Sequence, residues 1–129
     1  MARSVDRNKA TGYMTKAENS IHISKIAIKE GAYDTAVMDA VHGAINSLDA
    51  LTTFFVGKRA SGTHTEMLSL IKGVLSPGEY EEIQKQFNTL LGMKNESEYQ
   101  PDLMSHSEAE SAIKLAERIF VKVKAKLQP

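Results

Sequence analysis

The sequence contains no cysteine, which excludes disulfides and thiolate metal sites and fits a reducing compartment. It carries no net charge either, because 16 Lys and Arg offset 16 Asp and Glu. Long-range attraction for nucleic acid is therefore not evident, and any such binding needs a local basic patch. Long apolar runs are missing. The most apolar stretch, 36–56, is interrupted by Asp39, His42, Asn46 and Asp49, which argues against a membrane span. The N-terminal MARSVDRNKATGY is charged and has no apolar signal region, so a soluble, cytoplasmic protein with no membrane partner is expected. Repeats and low-complexity tracts are absent as well. A chain of 129 residues, 42% apolar and 25% charged, is expected to form one domain over 1–129, with a core large enough to need no staples. Residues 1–9 are expected to be a flexible lead-in.

What is present reads as helix, with no convincing strand. Met14, Ala17, Ile21, Ser24 and Ile28 step by three and four, predicting a first helix over 10–30 that Gly31 stops. Val37, Val41, Ala44, Leu48, Leu51 and Phe55 continue the same spacing and predict a second helix over 33–58. Thr63 and Glu66 form a capping-box pattern before the short apolar face of Met67, Leu70, Ile71 and Val74. Ser76, Pro77 and Glu79 open a fourth helix; its face is Tyr80, Ile83, Phe87 and Leu90, and Gly92 is expected to end it. Ser105 with Glu108, or Ser107 with Glu110, caps the last helix. Short connections between consecutive helices predict an all-α fold, an antiparallel up-and-down bundle of four to five helices. The longest connection, expected over 92–104, is polar rather than glycine-rich, and long ordered connections are more often functional than short ones.

The second helix has an unusual face. Thr35, Asp39, His42, Asn46, Asp49 and Thr53 are spaced 4, 3, 4, 3, 4, which places them on one stripe. A solvated face ordinarily favours Lys, Glu and Arg, and this stripe has none. Three readings are open: a plain outward face, a polar seam at a dimer contact, or a ligand groove. His42 is the only member that titrates near neutral pH. His42, Asn46 and Asp49 together would be a weak metal set, because HExxH, ExxH and cysteine ligands are all missing; no metal or other cofactor is expected. On the last helix Lys114, Arg118, Lys122 and Lys126 recur every four residues. Acidic residues early and basic residues late complement the helix dipole, and the same ridge would suit phosphate contacts.

Four segments, taken in order, resemble the HEPN domain family over about residues 14–127. They are the first hairpin, AENSIHISKIAIKEGAYDTAVMDAVHGAINSLDALTTFFVGKR; the start of the third helix, THTEML; the stretch LLGMKNESEY; and the closing helix, SHSEAESAIKLAERIFVKV. The resemblance implies a bundle of four or five helices, usually a homodimer. Many members are metal-independent ribonucleases whose motif is an arginine, a polar residue, several positions and a histidine, in a cleft at the dimer interface. Others lack the motif and serve as binding or scaffold modules, and some pair with small nucleotidyltransferases as toxin–antitoxin systems.

Aligned on LLGMKNESEY, the chain departs from that motif. Lys94 stands where the arginine would be, Asn95 fits the polar position, and Tyr99 occupies the neighbourhood of the histidine, with His106 too late. A lysine is a point charge and cannot clamp phosphate with a planar fork. A tyrosine with a pKa of about 10 is a poor base at neutral pH. Tyr99 is expected instead to pin the connection onto the bundle, with its hydroxyl bonded, while Lys94 and Asn95 hold an anion or cap the helix ending at Gly92. The sequence therefore predicts a non-catalytic HEPN-type dimeric module for a nucleotide, nucleic acid or a partner protein. Its cleft would combine Lys94, Asn95 and Tyr99 with His42, Asn46 and Asp49. The alternative is a divergent metal-independent ribonuclease, the toxin of a nucleotidyltransferase-paired system, using His42 as base and Lys94 as phosphate contact.

Overall fold

A computed structural model of the chain describes residues 2–61 and 63–128. The chain order is strand β1 (Arg3–Ser4), a 3-10 turn (Arg7–Lys9), α1 (Ala10–Lys29), α2 (Tyr33–Val56), strand β2 (Lys58–Arg59), α3 (His64–Lys72), α4 (Pro77–Tyr99) and α5 (His106–Leu127). Local chemistry sets most boundaries. Ser76 with Glu79 and Ser105 with Glu108 form complete capping boxes at the starts of α4 and α5, each satisfying two backbone donors that a helix start leaves open. Thr63 caps α3 by accepting from the Glu66 N–H at 3.1 Å, while the Glu66 carboxylate reaches back to the N–H of Ser61 at 2.9 Å. Gly57 ends α2 in the left-handed region, with φ of 69°, where glycine pays no Cβ penalty.

The bundle is arranged around α2, whose apolar seam of Val37, Val41, Ala44, Leu48 and Leu51 is fully buried. Beside that seam, Ala36, Ala40, Gly43, Ser47 and Ala50 are buried as well, and these small residues let α1 approach closely. At Gly43 a Cβ would lie 2.7 Å from Cγ1 of Ile21 and 3.4 Å from the carbonyl oxygen of Ala17, so any side chain at that crossing would force Ile21 to shift. Ser24 fixes the register by donating to the carbonyl of Ala36 at 2.8 Å. Ala109, Ala112, Ala116, Ile119 and Val123 bring α5 into the core, with Ile83, Phe87 and Leu90 from α4. Between the ends of the helices, the Lys126 ammonium meets Glu79 at 2.7 Å. That ammonium first, and then the N–H of Ser76, hold the Glu79 carboxyl down at a pKa of about 2.

Two expectations are corrected here. First, Gly92 does not end α4: the helix continues to Tyr99, so the supposed polar connection over 92–104 is largely helical and neither Lys94 nor Asn95 caps a helix end there. A glycine in an exposed helix interior costs only about 1 kcal/mol relative to alanine. Leu91 and Met93 pack on the core beside it, and Lys94 pairs with Glu98 one turn on. Asp34, at the start of α2, accepts from the Ser97 hydroxyl at 2.7 Å and from the Met104 N–H at 2.9 Å, clamping the last turn of α4 and the short link behind it. Pro101 sets the end, because the residue before a proline is driven out of helical geometry and Gln100 is extended, with φ of −97° and ψ of 145°. Second, strand is present, though minimal. Arg3 and Ser4 pair antiparallel with Arg59 and Lys58, and the Val5 N–H donates to the Gly57 carbonyl at 3.0 Å, so the N-terminal segment lies against the end of α2.

Two glycines within helices should respond in opposite directions to alanine. Gly43→Ala places a methyl against Ile21 and is expected to lower stability by about 1–2 kcal/mol, since overpacking outweighs the helix-propensity gain. Gly92→Ala meets nothing within 4 Å and should raise stability by about 0.5–1 kcal/mol. Urea midpoints for the two variants would check both signs.

Candidate functional site

The α2 stripe runs alongside the row of small buried residues, Ala36 to Ala50, that α1 approaches. Its burial is graded. Thr35 and His42 are exposed, Asp39 and Asn46 are half-buried, and Asp49 and Thr53 are buried. None of the three simple readings describes the whole stripe, because its N-terminal half faces outward while its C-terminal half is covered.

The covered end is electrostatically unusual. Asp49 is 8% exposed and Thr53 fully buried, yet Asp49 Oδ1 and Thr53 Oγ1 have no hydrogen-bond partner. Burial pushes the Asp49 carboxyl up to a pKa of about 6, opposed by the charges of Arg59 and Lys16. Arg59 stands on β2 and Lys16 on α1, so the charges of two cations from different elements act on one enclosed carboxylate. Neither is engaged in a side-chain ion pair among the described residues, and Lys16 also lies 5.8 Å over the Tyr13 ring. Asp39 is likewise raised by burial, with His42 opposing the shift.

The second group of predicted residues stands on the last turns of α4. Lys94 is held by Glu98 at 3.1 Å, and Asn95 is exposed. Tyr99 is 74% exposed, so it does not pin the connection; Asp34 and the buried Met104 do that instead. No hydrogen bond or ion pair among the described residues joins Lys94, Asn95 or Tyr99 to His42, Asn46 or Asp49. The histidine that Lys94 does approach is His64, in the first turn of α3. The His64 ring packs edge-on against Phe87, with centroids 5.7 Å apart. Its pKa is lowered by burial first and by the Lys94 charge second, which keeps the imidazole neutral and able to accept a proton at neutral pH. His106 lies elsewhere, edge-on to Tyr33 at 5.5 Å. On α5, Lys126 is taken by Glu79 and Lys114 lies 3.8 Å from Glu110, so two members of the basic ridge are already paired. No group of three or more metal-ligating side chains gathers among the described residues, and no helix there is long and apolar enough to cross a membrane.

The family model described as HEPN domain matches residues 10–126. The chain belongs to the HEPN domain family. Among solved structures, TT1696 from Thermus thermophilus superposes with a TM-score of 0.76 at 21% identity, covering 92% of this chain and 98% of that one; at that identity the likeness speaks for the fold. No curated protein matches the chain.

An arginine followed within a few residues by a histidine, which is missing around Lys94, occurs earlier in the chain. Arg59 and His64 are separated by four positions in KRASGTHTEML, with Ala60 where the ribonuclease motif has a polar residue. The charge of Arg59 acts on Asp49, whereas His64 feels the charge of Lys94.

The Asp49 carboxyl yields a signed pH prediction. Its folded pKa, about 6, lies above the ordinary value of 3.8, so the folded state binds the proton more tightly and stability falls as pH rises from about 4 to 6. Asp49→Asn should remove this slope. The variant is expected to match the parent near pH 4 and to exceed it by about 2 kcal/mol at pH 8, as read from urea midpoints at the two pH values.

Proposed function

We propose that this HEPN domain works as a homodimeric, non-catalytic binding module that receives the phosphates of a nucleotide or of RNA along the α2 stripe. The observation that carries the reading is the enclosed, unpartnered Asp49 carboxylate in the polar stripe, on which the charges of Lys16 and Arg59 act while neither is in an ion pair among the described residues. Two cations at the covered end of a polar, lysine-free stripe form the local patch that a chain of zero net charge needs for an anionic ligand. Arg59 would supply the planar fork that suits phosphate, and His42 and Asn46 would offer donors farther along. The half-exposed polar stripe, poor in long flexible side chains, also suits contact with a second copy. Lys94, neutralised by Glu98, takes a minor part.

A second reading is favoured by one observation, the pairing of a neutral His64 with the Arg59 spacing. In it the chain is a metal-independent ribonuclease with His64 as base and Arg59 as phosphate contact, in place of His42 and Lys94. A nucleotidyltransferase partner belongs with that reading.

Purified protein would be mixed with labelled single-stranded RNA in EDTA and followed by anisotropy and by gel, with its mass in solution determined alongside. A dimer that binds intact RNA is expected, with Lys16→Ala and Arg59→Ala each weakening binding about threefold to tenfold and flattening its salt dependence. Cleavage that disappears in both Arg59→Ala and His64→Ala would replace this reading with the second. A strict monomer that binds neither RNA nor nucleotide would remove both.

A further inference from the structure

On another side of the molecule, α1 and α5 both pack on α2 but leave a groove between them. Its larger part is a cavity of about 450 Å³ whose walls include Met14 from α1, Phe54 from the end of α2, and Phe120 and Leu127 from α5. Phe54 is 42% exposed, a large aromatic left facing a concavity. Arg7 and Lys124 line the same cavity, and neither is in a side-chain ion pair among the described residues. The groove continues past Phe120 into a second cavity of about 310 Å³ that shares Phe120 and Glu18 with the first. At that far end, Lys25 of α1 and Glu117 of α5 join across the groove at 2.6 Å. The groove thus has an apolar body, a cationic end near the N-terminal segment, and an opposite end closed by an ion pair, with the exposed Glu18 in between.

We propose that this groove binds a single-chain amphiphilic carboxylate, with the headgroup between Arg7 and Lys124 and the hydrocarbon chain along Met14, Phe54 and Phe120. Its size falls in the range of small-molecule sites, which are concave, mostly apolar and oriented by a few polar groups. The charge pattern selects an anion and sets its direction, since a headgroup at the other end would meet Glu18 and the already satisfied Lys25–Glu117 pair. A chain of roughly ten carbons suits the larger cavity. None of the residues used belongs to the α2 stripe, so the proposal stands or falls separately from the nucleic-acid reading.

The test is calorimetric titration of the protein with decanoate, octanoate and decanol, all below their aggregation limits. One decanoate per chain is expected, bound roughly tenfold more tightly than octanoate, as two additional buried methylenes require. Lys124→Glu, a change at an exposed position, should weaken decanoate several-fold and leave decanol nearly unchanged. Met14→Arg should abolish both, with circular dichroism confirming that the variant is folded. Absence of saturable binding would overturn the proposal. So would binding that survives Met14→Arg in folded protein. Equal affinity for decanoate and decanol, indifferent to Lys124→Glu, would reduce the groove to an apolar patch and overturn the assigned ligand class.

Discussion

The structure depends on how closely α1 and α2 can approach. Gly43 and its neighbours Ala36, Ala40, Ser47 and Ala50 bring α1 so near that a single Cβ at 43 would strike Ile21. With α1 seated there and α5 on the seam of Val37, Val41, Leu48 and Leu51, most of the circumference of α2 is used. Only one strip remains for polar side chains. At the buried positions 49 and 53 there is room only for short side chains, and Asp and Thr are short. At its covered end the stripe is thus a consequence of helix packing before it is a feature of function, and β2 and the N-terminal segment lie against the end of α2 just beyond it.

Much of this was legible in the sequence because it is local. The capping boxes at Ser76 and Ser105 need only residues three apart, and the apolar periodicity of α2 needs only one helix. The end of α4 was not legible. Gly92 is a stop by local rules, but what carries the helix past it includes the bond from Ser97 to Asp34, 63 positions away in sequence. Local propensity of about 1 kcal/mol yields to a few tertiary contacts. Tyr99 illustrates the same limit from the other side. Aromatic residues are often buried, but this one falls after the last core-facing turn, and the carboxylate of Asp34 performs the anchoring expected of it.

The candidate site was legible in part for a related reason. The alignment of Asp39, His42, Asn46 and Asp49 follows from helical spacing alone. Their unequal burial does not, since it depends on which segment covers which turn. The nearness of His64 to Lys94 required knowing that α3 packs its first turn against Phe87 of α4. The spacing of Arg59 and His64 was a signal present in the sequence, but KRASGTHTEML lies at the junction of two helices, far in sequence from the stretch around Lys94 that resembles the family motif.

Net charge and charge placement lead to different conclusions about this molecule. A total of zero gives no long-range field to gather an anionic ligand, but it does not determine where cations remain unpaired. Lys25, Lys94 and Lys126 are each within 3.1 Å of a carboxylate, and these pairs join helices or stiffen one. Arg59 and Lys16 differ because the carboxylate they face is enclosed and holds its proton up to about pH 6. Above about pH 6 that carboxylate is ionised, and its charge offsets part of the field of both cations. As the pH falls toward 6, protonation of Asp49 releases the field of both cations to the surface. On the proposed reading, anion affinity along the stripe should therefore strengthen in mild acid, where the fold, relieved of a buried charge, is also more stable, and titration with a nucleotide at pH 5 and pH 8 would check it.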